Sequence, residues 1–220
     1  LYANVEASGL YSEALALLDE IKTDVEDESE LHDLKAQRLQ ILMGRYSVHH
    51  LLGEFEQMRA DAQALLPLAR ELSDDVTWLI DSLLCQPGVG RFERKEEIEV
   101  GLDLAEEALA LSQRIQDKER ELRTLVAMTH QHLALNDPNW QELAERALAL
   151  ARDRENRRCE TQLLIDMGGV YAFSDEPERS MEYLEAAAAL AMSEGLEDRL
   201  IQMSLLNLLG LEYERQGDYY

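Results

Sequence analysis

A chain of 220 residues with 46% hydrophobic and 30% charged residues has the composition of a folded, soluble protein rather than a disordered one. Its formal net charge of −24 excludes recognition of nucleic acid through phosphates and docking on an anionic membrane, both of which need a basic face. Four prolines, eleven glycines and no run of five or more residues in which Val, Ile, Thr and aromatics alternate leave helix as the expected structure throughout.

The predicted helices in chain order are a partial one at 1–7, then 10–25, followed by pairs at 29–51 and 54–72, 75–86 and 95–116, 118–135 and 138–154, and 157–173 and 177–193. A last helix, 197–216, is unpaired. Pro138 and Pro177 open their helices, where a missing N–H is harmless, with Asp137 and Asp175 or Glu176 just before as caps. Pro67 falls inside an apolar helical pattern and is expected to kink it. The segment Gln86–Glu96 reads as a longer inter-helix loop.

Blocks of small and large apolar residues recur along the chain. Ala108–Leu111, Ala147–Ala151 and Ala187–Ala191 are spaced by 39 and 40 residues, Leu65–Ala69 precedes them by 43, and Ala14–Leu18 is an earlier member. Each block ends in a polar connector and is followed by another helical stretch. Two helices per unit at a period near forty predict an all-α fold, an α-solenoid of antiparallel helix pairs. The whole of 1–220 reads as a single repeat array; its unpaired last helix is expected to mark a piece of a larger protein, and with no signal peptide and no apolar run long enough to span a membrane a cytoplasmic location is the default expectation.

The end of the chain carries the sharpest motif. Leu209-Gly210, Tyr213 and Gly217-Asp218-Tyr219 fall at the spacings of the first helix and turn of a tetratricopeptide (TPR) repeat. Met167-Gly168 with Tyr171 repeats the first part, and Gly9-Leu10-Tyr11 and Gly53-Glu54-Phe55 resemble the turn. The third unit departs from the pattern, with Met128 and Gln131 where Gly and Tyr would sit, and the period exceeds the family's usual length. HEAT-like arrays share the forty-residue period, but the Gly–Tyr–Gly-Asp-Tyr turn favours the TPR family. The chain thus resembles the long, degenerate TPR arrays of large bacterial regulators. That resemblance implies a right-handed superhelix whose first helices line an inner groove. The polar residues it places on that lining are Gln40, Ser47, His50, Gln86, Thr129, His132, Gln162, Asn207 and Glu214. The lysines and asparagines that chaperone-tail clamps use are mostly missing from this set.

No pattern of catalytic chemistry stands out. His49 and His50 are adjacent and His130 and His132 two apart, neither spacing putting both rings on one helical face for a metal. Gly88 and Gly90 follow no strand and are too few for a phosphate loop. Cys85 and Cys159 read as buried free thiols, and the scattered methionines as core. Arg91, Arg94 and Lys95 beside Phe92, and Arg152, Arg154, Arg157 and Arg158, form the two basic clusters, expected to pair with neighbouring acids, with Arg91 and Phe92 a candidate contact spot. The expected function is therefore non-catalytic, without cofactor or metal: a scaffold or regulatory module that binds protein or peptide segments, basic ones by charge. The alternative is a sensory domain for a small ligand or signalling peptide, coupled to an output domain elsewhere. In the last helix, Leu205, Leu208, Leu209 and Tyr213 form a stripe expected to pack on the preceding pair. Leu206 and Leu211 flank it and point toward where a second helix would lie, a helix that Tyr219 and Tyr220 would begin. Homodimerisation through this helix is one expected outcome of that exposure.

Overall fold

The computed structural model describes residues 2–22, 25–72, 75–89, 95–174, 176–192 and 198–217. The described residues form ten α-helices and no strand: α1 (Tyr2–Lys22), α2 (Glu28–Leu52), α3 (Phe55–Glu71), α4 (Val76–Leu84), α5 (Lys95–Arg114), α6 (Lys118–Ala134), α7 (Trp140–Asp153), α8 (Arg157–Phe173), α9 (Pro177–Ala191) and α10 (Arg199–Gln216). The all-α expectation is met. The helices gather into two compact units, Leu1–Asp137 with α1–α6 and Pro138–Tyr220 with α7–α10.

Alternate helices start the same way. Asp27 accepts from the backbone N–H of Ser29 and Glu30, Asp75 from Thr77, Asp117 from Arg120, Asn156 from Cys159, and Asp198 from Leu200 and Ile201. A side-chain oxygen at this position satisfies N–H groups that the helix itself leaves unpaired, worth about 1 kcal/mol per helix. The intervening α3, α7 and α9 begin without such a bond. The caps at 75, 117, 156 and 198 are 42, 39 and 42 residues apart, so the repeat legible in the apolar blocks is also a repeat of helix starts.

In the first unit, contacts fix the helix directions. Tyr11 packs on Gly44, where a Cβ would lie 2.6 Å from its ring, Arg45 Nη1 donates to Ser12 Oγ at 3.2 Å, and further along α1 Asp19 pairs with Arg38, earlier on α2, so α1 and α2 run antiparallel. Lys35 pairs with Glu71 at 2.7 Å and Arg45 with Asp61, so α3 doubles back along α2. Between α3 and α5, Arg59 pairs with Glu97 at 3.0 Å and Arg70 with Glu107 at 2.8 Å, two rungs that require parallel helices. Between α4 and α6, Asp81 accepts from Arg120 at 2.6 Å and from Arg123 at 2.8 Å. Leu39, Leu42, Leu65, Ala69 and Leu72 close one core with Leu15, and Ile80, Leu83 and Ala108 a second. Truncating a fully buried leucine such as Leu65 to alanine costs about 2–5 kcal/mol.

The second unit repeats the logic. On α8, Gly168 lets α9 come close: a Cβ there would lie 2.8 Å from Leu184 Cγ and 3.3 Å from the carbonyl of Ser180. Ser180 Oγ donates to the Gly168 carbonyl at 3.0 Å. The small residues Ala187 and Ala191 are buried on α9, which is held between two neighbours, α8 and α10.

Some expectations are corrected. α1 is one helix from Tyr2 to Lys22, without the break expected around Gly9. Its Leu15 and Leu18 pack in helical register, and this packing outweighs the turn-like look of Gly9-Leu10-Tyr11. Gly53 and Gly217, by contrast, do end helices in the left-handed conformation, with φ of 73° and 75°. α7 starts at Trp140 rather than Pro138, and an oxygen of the Asp137 carboxylate lies 2.8 Å from His132 Nδ1. α3 continues through Pro67 to Glu71. The contact spot at Arg91 and Phe92, with Arg94, and the expected helix start at Tyr219 and Tyr220 lie outside the described residues.

Candidate partner-binding site

Of the nine residues expected on a groove, six lie in the first unit and three in the second. Gln40, Ser47 and His50 are exposed on α2, with Ser47 Oγ donating back to the Met43 carbonyl at 3.0 Å. Gln86 and Thr129 are buried, which removes them from an open lining. Gln86 Nε2 donates to the carbonyls of Ala62 at 2.6 Å and Ser82 at 2.9 Å, and Thr129 Oγ1 to that of Leu125 at 2.8 Å. Both hold backbone together. His132 is half-buried on Asp137, and the half-buried Gln162 donates to Asp166 Oδ1 at 3.0 Å. Asn207 and Glu214 are exposed two turns apart on α10.

These last two border the most distinctive surface of the second unit. Asp198 fixes the start of α10 twice over: its Oδ1 accepts from the Leu200 N–H at 3.0 Å and its Oδ2 from Arg158 Nε on α8 at 2.8 Å. Arg158, and then the Ile201 N–H, hold the Asp198 carboxyl below the usual carboxylate range. At the other end Arg215 donates to the Ala172 carbonyl at the end of α8 and to Glu212 Oε1. Between them Ile201 and Leu205 are buried, and Leu208 Cδ1 lies 3.4 Å from where a Cβ on Gly169 would be. α10 therefore runs alongside α8 in parallel, and its two helices share a register of 42 residues from cap to cap.

In that register the two helices present the same face with opposite fates. On α8, Thr161 is 0%, Leu164 2% and Tyr171 3% exposed. Their counterparts on α10, Met203, Leu206 and Tyr213, are 63%, 67% and 36% exposed. Gly168 is in contact with α9, whereas nothing lies within 4 Å of a Cβ built on Gly210. α9 covers the α8 face with further specific contacts. Tyr183 stacks on Tyr171 at 5.6 Å and 7°, and the Arg179 guanidinium sits 4.2 Å above the Tyr171 ring. Trp140 of α7 tilts against the same ring at 5.8 Å, and Gln141 Nε2 donates to its hydroxyl at 3.2 Å.

The expectation that Leu206 and Leu211 face outward is met, but Tyr213 joins them instead of packing on the preceding pair. The inward position falls to Glu212, which is 0% exposed with one oxygen, Oε2, unpartnered. Leu200 and Met203 extend the outward row to the start of the helix, at spacings of three and four with Leu206, Gly210 and Tyr213, an apolar signal that the polar residues expected on the lining do not carry. In the first unit an exposed apolar row on α1, Leu10, Leu17 and Ile21, has no such counterpart elsewhere to show how it is covered.

Other clusters are structural. Asp61 is buried and accepts from Arg45 Nε at 3.1 Å to each carboxylate oxygen, while His49 Nδ1 lies 2.6 Å from Glu54. Arg152 pairs with Glu160 at 2.7 Å, as expected of that basic cluster. Among the described residues no group of three or more His, Cys, Asp or Glu is placed to hold a metal ion, and no helix is long and apolar enough to cross a membrane.

No protein-family model matches the chain, and no curated protein matches its sequence.

Proposed function

We propose that this chain is a non-catalytic helical-repeat module of the TPR kind, a scaffold or regulatory element that binds segments of other proteins. The observation that carries this reading is the α10 face. It keeps Met203, Leu206 and Tyr213 in water at positions whose α8 counterparts are covered by a helix. Apolar side chains in such a row lose free energy by remaining exposed, and a helix, of this chain's own repeat or of a partner, is the simplest surface that covers them. The net charge of −24 favours basic partners by long-range attraction and disfavours nucleic acid. The TPR likeness of Gly168–Tyr171 and Gly210–Tyr213 supports the reading, as do their equivalent places on α8 and α10, and a cytoplasmic setting goes with it.

The test is selection of a displayed library of helical peptides on the native chain and on a Met203→Glu, Leu206→Glu double variant. Both positions are exposed, so the variant should keep its circular dichroism. Ligands that enrich on the native chain and are lost on the variant are expected. Enrichment that ignores the two substitutions would overturn the assignment of this face.

A further inference from the structure

We draw no further inference here: the strongest candidate, the exposed row of Glu96, Glu99, Asp103 and Glu106 around Val100 on α5, is a surface cluster of carboxylates with no second feature among the described residues that points to what would bind it.

Discussion

The side-chain amide of Gln131 on α6 donates to the carbonyl of Gly88 at 2.7 Å, with both residues buried. Gly88 has a φ of +86°, and a Cβ there would fall 1.9 Å from the carbonyl oxygen of Glu97 at the start of α5. One residue thus joins α4, α5 and α6 through a turn only glycine can make. Gln131→Ala should lower stability by about 1–3 kcal/mol, because the Gly88 carbonyl loses its partner in the interior. Gly88→Ala should cost more, since it adds backbone strain to a clash with backbone. Urea unfolding would show both, and a Gly88→Ala chain as stable as the native one would mean that the turn is free to move.

Arg45 holds Asp61 through three hydrogen bonds, two from Nε and one from Nη2, and Asp61 is buried. Arg45→Met should cost about 3–5 kcal/mol by leaving a buried carboxylate uncompensated, whereas Arg45→Met together with Asp61→Leu should recover most of that loss. A double variant as unstable as the single one would show that the pair contributes more than mutual neutralisation.

The Asp117 carboxyl is held below the ordinary carboxylate range, first by the Arg120 backbone N–H and, against some burial, by the Arg120 guanidinium. A carboxyl whose folded value is depressed adds stability that is present above its unfolded value, about 3.9, and is lost as pH falls through the folded value. Asp117→Ala should therefore lower the melting temperature at pH 7 and flatten its fall below pH 4. An unchanged acid slope would show that other carboxylates govern acid unfolding.

Burial pushes the Cys85 thiol up to about 12, and its Sγ rests 3.8 Å from Met43 Sδ. At pH 8 it is a thiol and a poor nucleophile. Iodoacetamide followed by peptide mass analysis should leave Cys85 unmodified in the native chain and modified in urea. Rapid native labelling would place it at a surface.

The helix starts were legible because the polar connectors contained the caps: Asp75, Asp117, Asn156 and Asp198 each fall within or next to a stretch that breaks the apolar pattern. The helix that crosses Gly9 was not legible, because Gly9-Leu10-Tyr11 has the local chemistry of the real turns at Gly53 and Gly217; only packing on α2 separates them. Gln86 and Thr129 looked like lining because periodicity reports which face a residue is on, not whether a neighbouring carbonyl is waiting there. Glu212 and Tyr213 exchanged their expected places for a related reason. A carboxylate is expected outside, yet Arg215 and the end of α8 give Glu212 a charged companion inside, and Tyr213 is turned outward.

The side-chain contacts between one repeat and the next join residues close together in the chain: Arg59 to Glu97, Arg120 to Asp81, Arg158 to Asp198, and Gln131 to Gly88 are 38 to 43 residues apart. During synthesis, at roughly 5–20 residues per second, each helix is followed by its covering partner within seconds. Hydrophobic faces are then bare one at a time and briefly, and loops of this length close at small entropic cost. A nascent chain built this way presents little for other chains to stick to before its own next helix arrives.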